Sequence, residues 1–133
     1  MNKVTLDSSF ICALVNKNDV NHKRAFVSYE EFGDSQIFIP QVVLLELAIL
    51  RRKQYRDLHE AIYKFLEIIQ YKVVAIQIKE FEKFIAKTDY NLKPNDYFIL
   101  FASQISNAKL LTFDEKLSSF LRENKSNNSA SSI

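Results

Sequence analysis

Four carboxylates in this chain stand where carboxylates are costly. Asp7 interrupts "VTLDSSF", between the apolar run Val4–Leu6 and a second one that begins at Phe10. Glu46 lies inside "VVLLELAIL", with Val42, Val43, Ile49 and Leu50 on its own side at i±3 and i±4 spacing. Asp96 opens the apolar stretch "DYFILFAS", and Asp114 closes "KLLTFD". Taken singly, each has a structural explanation. Asp is a favoured helix N-cap, worth about 0.5–2 kcal/mol, which suits Asp7 and Asp114 as well as catalysis does. Asp96 in a first helical turn gains about 0.3–1 kcal/mol from the helix dipole. Glu46 calls for a Lys or Arg partner, because burying a lone carboxylate costs several kcal/mol. None of these explains why all four acids break apolar context.

Convergence of the four would be expensive by itself. Two carboxylates 4 Å apart repel by about 4 kcal/mol at an effective dielectric of 20. A hard divalent cation resolves the conflict, and Mg²⁺ and Mn²⁺ favour oxygen ligands. His22 and His59 fall on helical segments away from the acids in sequence and are expected to be exposed, so zinc is disfavoured. An all-carboxylate Mg²⁺ or Mn²⁺ site suits phosphodiester hydrolysis, activating water and stabilising the leaving oxygen.

The elements that must position these acids alternate in type. Short β-like runs fall at 4–6, 36–39, 72–76 and 109–112. Helical patterns fall near 9–17, 20–32, 41–53, 57–70, 79–88, 95–107 and 115–122. In the 57–70 segment, Leu58, Ile62, Phe65, Leu66 and Ile69 share one face at 3.6 periodicity. Pro40 and Pro94 each stand where a helix begins, where a missing N–H costs least. Alternating strands and helices predict an α/β fold with a parallel sheet covered on both faces. Such sheets bind ligands beyond the carboxyl ends of their strands, where Asp7 and Asp114 fall.

Composition narrows the alternatives. The 133 residues are 47% hydrophobic and 26% charged, which fits one globular domain with a substantial core. One Gly and two Pro argue against a turn-rich all-β fold and exclude Gly-rich phosphate loops. The lone Cys12 excludes an intrachain disulfide and multi-Cys zinc sites. It is expected to be a small buried hydrophobe, and the cysteine usage suits a reducing, cytoplasmic setting. No apolar run reaches the roughly 20 residues of a membrane span, and the amino terminus reads as strand one with no signal peptide. A net charge of +2 does not oppose an anionic partner. The domain is expected over 1–122, with 123–133 a disordered tail because "ENKSNNSASSI" lacks apolar periodicity.

An Asp after strand one, a Glu in an apolar helix, an Asp opening a late helix and then "TFD" resemble, in that order, the PIN domain. The likeness is nearest to small VapC-type toxins of toxin–antitoxin pairs, and it runs from Val4 to about Leu121. It implies a three-layer α/β/α fold around a central parallel sheet of four or five short strands. Asp7, Glu46, Asp96 and Asp114 match the family's acidic quartet as catalytic and metal-binding residues. Ser9 matches its small polar position, and Thr112 its supporting hydroxyl. Glu115 is either an auxiliary acid or an exposed first-turn residue. The family commonly has a Gly before the last strand; here "SNAKLLT" offers Asn107 for a positive φ.

The resemblance further implies a Mg²⁺- or Mn²⁺-dependent endoribonuclease that leaves a 5′-phosphate and a 3′-hydroxyl. It also implies a homodimer and neutralisation by a small antitoxin. Candidates for contact with RNA phosphates are Arg51 and Arg52 in "RRKQYR", with Lys93 a weaker one. The cations of "RRKQYR" equally suit the carboxyl end of the Glu46 helix. Tyr97 and Phe98 are candidates for base stacking, with core packing favoured for Phe98. Alternatives are a housekeeping RNA-processing nuclease and a non-catalytic PIN-like binding module, the latter disfavoured because all four acids are present. A phosphohydrolase with Asp7 as covalent nucleophile would need an Asp where Ser9 stands.

Overall fold

The computed structural model of the protein describes residues 2–50 and 56–123. Four strands, β1 (Lys3–Leu6), β2 (Gln36–Pro40), β3 (Tyr71–Val74) and β4 (Lys109–Leu111), form one parallel sheet in the order β3-β2-β1-β4. Val4, Thr5 and Leu6 of β1 are all buried, as are Leu110 and Leu111 of β4. A strand covered on both faces reads as a continuous apolar run and loses the alternation of a half-exposed one. That is why β1 and β4 were readable as short apolar segments.

Seven helices connect and cover the strands among the described residues: α1 (Ser8–Val15), α2 (His22–Glu31), α3 (Gln41–Leu50), α4 (Arg56–Ile68), α5 (Ile78–Ala86), α6 (Pro94–Ile105) and α7 (Glu115–Glu123). The result is the expected three-layer α/β/α arrangement. Helix α6 packs on β1, β2 and β4, while α1 packs on α2, α3 and α4. The centre of α6, from Phe98 to Ser103, is buried without interruption. Phe81 of α5 meets Phe98 edge-on at a centroid distance of 5.6 Å. These rings hold α5 against α6, so the aromatic excess of the sequence is spent largely on packing.

Some boundaries shift. Strand β3 runs from Tyr71 to Val74 where 72–76 was expected, because it is a sheet edge whose Lys72 and Val73 face solvent. The end of the expected 41–53 helix and the expected 123–133 tail lie largely outside the described residues. Cys12 is half-buried where a buried residue was expected, although it still packs against the core. Burial, and then the acids Asp19, Asp7 and Glu46, push its thiol up to about 11, which makes it a poor nucleophile.

Helix α6 must stop abruptly for β4 to start beside β1. Asn107 adopts φ 51°, the one non-Gly residue with positive φ among the described residues. Its N–H bonds Gln104 O at 3.0 Å, and Ala108 N–H bonds Ser103 O at 2.9 Å. Together they form a Schellman stop with Asn in the place usually taken by Gly. Replacing Asn107 by Val is expected to lower unfolding free energy by about 1–2 kcal/mol, the cost of a left-handed conformation for a side chain branched at Cβ. Asn107→Gly should remain close to the original chain. Urea denaturation of both variants checks this, and equal stability of the Val variant would contradict it.

Candidate active site

In the strand order β3-β2-β1-β4 the chain turns one way from β1 and the other way to reach β4. The crevice at the carboxyl ends of β1 and β4 is therefore the topological switch point, where open parallel sheets bind ligands. Asp7 stands at the end of β1, and Asp114 lies three residues past Leu111 of β4. Helix α6 leads into β4 and so starts at the same edge of the sheet, bringing Asp96 there in its first turn. Helix α3 leaves β2 directly at Pro40 and carries Glu46.

Asp7 is 4% exposed and bonded through both oxygens. Its Oδ1 accepts the Ser8 N–H at 2.7 Å, which caps α1. Its Oδ2 accepts Thr112 Oγ1–H at 2.6 Å and lies 3.1 Å from Ser9 Oγ. The backbone of the β4 end closes the cluster. Phe113 N–H donates to Ser9 Oγ and Asp114 N–H to Thr112 Oγ1, each at 3.0 Å. Asp114 Oδ1 accepts the Leu117 N–H at 3.0 Å and so caps α7. Capping and membership of the cluster are thus compatible, since a cap uses one carboxylate oxygen.

Electrostatics link the four acids. Burial pushes the Asp7 carboxyl above its ordinary range, against the hydrogen bonds from Thr112, Ser8 and Ser9, and Asp114 adds to the rise. Glu46 is pushed up to about 7 by burial and then by Asp7, Asp96 and Asp114. Asp96 is pushed up to about 6 by burial, Asp114 and Asp7, while Lys93 and Lys116 pull the other way. Each shift has the sign expected for carboxylates gathered in a poorly hydrated place.

Glu46 differs in detail from the sequence expectation. The buried residues of α3 are Val42, Val43 and Leu47, whereas Ile49 is 55% exposed and Leu50 half-buried. Glu46 therefore borders the core face and does not lie at its centre. It has no ion-pair partner: among the described residues the one ion pair is Lys83–Glu80. Its Oε1 is buried without any hydrogen bond. The donor set is oxygen-only and suits a hard divalent cation, but among the described residues no three of His, Cys, Asp and Glu already stand at ligand separation. Charge coupling reaches further than coordination, so both observations hold together.

The remaining candidates divide. Ser9 and Thr112 join Asp7 directly. Lys93 precedes α6 and acts electrostatically on Asp96. Arg51 and Arg52 lie outside the described residues. Glu115 is exposed in the first turn of α7. Tyr97 gives its hydroxyl proton to Tyr90 O and accepts Leu92 N–H at 3.1 Å, so it pins the loop before α6 and does not present a free ring. Phe98 is core. His22 and His59 are half-buried, contrary to expectation: His22 Nδ1 lies 2.8 Å from Ala13 O, and the His59 ring meets that of Tyr63 at a tilt, 4.3 Å between centroids. Lys116 was missed. Its only signal in sequence was closeness to Asp114, because its effect on Asp96 depends on α7 lying beside the 89–92 segment that leads into α6, where Tyr90 meets Phe120 at 4.1 Å.

The chain matches the family model described as PIN domain over residues 4–121. No protein of curated function matches it in sequence. Among solved structures, it is similar to VapBC2 from Rickettsia felis bound to a DNA fragment from its promoter, with a TM-score of 0.70 at 16% identity, covering 98% of this chain and 97% of that one. It is also similar to VapC20 from Mycobacterium tuberculosis, a toxin that cleaves the sarcin–ricin loop, with a TM-score of 0.65 at 17% identity, covering 88% and 94%. A domain from Methanocaldococcus jannaschii gives a TM-score of 0.60 at 21% identity, covering 100% and 91%. At these identities the likeness concerns the fold.

The raised acids make a prediction about pH. A native carboxyl above its ordinary value holds its proton more tightly than the unfolded chain does. Stability therefore falls as pH rises from the ordinary 4.5 of Glu46 and 3.8 of Asp96 to their native values of about 7 and about 6. In metal-free buffer, thermal melting should drop between pH 5 and pH 7.5, by about a few degrees for each kcal/mol lost. Glu46→Gln should flatten that drop and melt above the original chain at pH 8. Identical pH profiles for the two chains would contradict the assignment.

Proposed function

Because the chain belongs to the PIN domain family, we propose that it is a Mg²⁺- or Mn²⁺-dependent endoribonuclease, the toxin of a toxin–antitoxin pair. The observation that carries this reading is the electrostatic convergence of Asp7, Glu46, Asp96 and Asp114 from four separate parts of the chain, with Glu46 Oε1 left without a partner. Among the described residues none of these acids forms an ion pair, and burying carboxylates without one costs several kcal/mol. VapC20, which shares this fold, is a toxin that cleaves RNA, and VapBC2 is seen with its promoter DNA.

In this reading the four acids hold the cation. When bound, it supplies a nucleophilic water at neutral pH and neutralises charge on the reacting phosphate. Thr112 and Ser9 fix the orientation of Asp7, so that its carboxylate does not reorganise during the reaction. Glu46, pushed up to about 7, retains part of its proton at neutrality whereas Asp96, at about 6, is mostly ionised there, and both would hold a cation in their deprotonated forms. Lys93 and Lys116 offer ammonium groups to the incoming phosphodiester beside Asp96. The products are a 5′-phosphate and a 3′-hydroxyl. A homodimer and a small antitoxin complete the proposed assembly. Among the described residues no helix is long and apolar enough to cross a membrane.

Asp7→Asn and Glu46→Gln are each expected to reduce RNA cleavage by ~10²–10³-fold, the scale of removing one preorganised charged group, while far-UV circular dichroism stays unchanged. Chelation should stop cleavage and added Mg²⁺ or Mn²⁺ restore it. Induced expression should arrest growth for the original chain and not for Asp7→Asn. Cleavage by purified Asp7→Asn at the original rate would sink the reading.

A further inference from the structure

Beside the carboxylates lies a polar groove of about 420 Å³, between the start of α2 and the outer face of α7. Its lining includes Arg24 and Arg122 from opposite ends of the sequence, Ser119, and Thr112 and Phe113 from the end of β4. Both arginines are exposed, and neither forms an ion pair with any described residue. Both are nevertheless held in place. Arg24 lies over the Phe113 ring, 5.2 Å from its centroid, and its Nη1 is 3.4 Å from Asn21 Oδ1. Arg122 Nη2 donates to Ser119 Oγ at 3.2 Å. Guanidinium groups stay charged at any physiological pH and match phosphate oxygens with paired N–H donors.

We infer that this groove binds a backbone phosphate of single-stranded RNA flanking the phosphate at the carboxylate site. The inference rests on the nuclease reading for its choice of RNA. Thr112 supplies the continuity: it lines the groove and also donates the 2.6 Å hydrogen bond to Asp7 Oδ2. A strand laid with one phosphate at the acids therefore meets the arginines next along its length. Glu115, the one acid of the lining, leaves the groove net positive against two arginines. The faces of Phe113 are occupied, by Arg24 and by the stacked Phe10 ring at 5.9 Å. Base stacking has no platform there, so the contact is to the backbone and independent of sequence.

The test measures affinity without cleavage. A short fluorescent single-stranded oligoribonucleotide is titrated, in EDTA, with the original chain, with Arg24→Gln/Arg122→Gln, and with Lys72→Gln/Lys79→Gln as a control of equal charge change. Lys72 lies on β3 at the other edge of the sheet, and both lysines are exposed. The arginine variant should bind about tenfold or more weakly, and its log–log salt slope should fall by about 0.7, the single-strand value for one phosphate that is no longer neutralised. The control should lose distinctly less in both quantities. Unchanged affinity and slope in the arginine variant, or an equal loss in the control, would overturn the proposal. So would arginine-dependent binding of a Glu-rich peptide with RNA affinity untouched, which assigns the groove to an acidic protein partner. RNA bound through the arginines but never cut refutes the nuclease reading alone. RNA cut normally with undiminished affinity in the arginine variant refutes the groove alone.

Discussion

The hydrogen bond from Thr112 to Asp7 ties the carboxyl end of β1 to that of its neighbour, the edge strand β4, and the rest of the site is arranged around it. It is short, buried and charge-assisted, the class of hydrogen bond that contributes most in a poorly hydrated interior. Its partners are shared. Thr112 also accepts from Asp114 N–H, and Ser9 accepts from Phe113 N–H, so the geometry of Asp7 and the path of the chain into α7 are set by the same few atoms. Displacing any of them would move two acids at once. Asp7 thus works as a structural cap and as the centre of a charged pocket without conflict between the roles.

Around that bond the fold accepts an electrostatic cost. Asp7, Glu46 and Asp96 all have their charged forms disfavoured, first by burial and then by neighbouring acids, Asp114 acting on each of the three. Among the described residues the basic groups that act on them are Lys93 and Lys116, which pull Asp96 the other way. A protein selected only for stability would put apolar side chains here, as it does along the centre of α6. The compensation comes from the continuous core beneath, in which Leu6, Phe10, Leu110 and Leu111 are fully or almost fully buried. Strained or unpaired groups persist where surrounding packing over-determines them.

The acids and the fold class were legible because both are local signals. A carboxylate in an apolar run violates its neighbourhood, and short apolar runs alternating with 3.6-periodic segments announce a covered parallel sheet. Asn107 was legible through the resemblance, as the residue best able to take positive φ where the family commonly has a Gly. What escaped was depth and distance. Periodicity showed the side of α3 on which Glu46 falls but not that Ile49, on that side, would be exposed. His22 and His59 were misjudged because a helical His can bury one edge of its ring and keep the other wet. The effect of Lys116 on Asp96 and the shared groove of Arg24 and Arg122 depend on segments remote in sequence coming together, for which a single chain carries no pattern.

The pairing of β1 with β4 also governs the order of events when the polypeptide is made. Asp7 is synthesised 105 residues ahead of its principal hydrogen-bond donor, Thr112, and well ahead of its strand neighbour β4. A nascent chain therefore carries the first acid long before the constellation can close. Contacts of such wide sequence separation make folding slow, since loop-closure entropy must be overcome before they form. Ribosome-bound intermediates and products truncated before β4 accordingly lack the Thr112 hydrogen bond that orients Asp7.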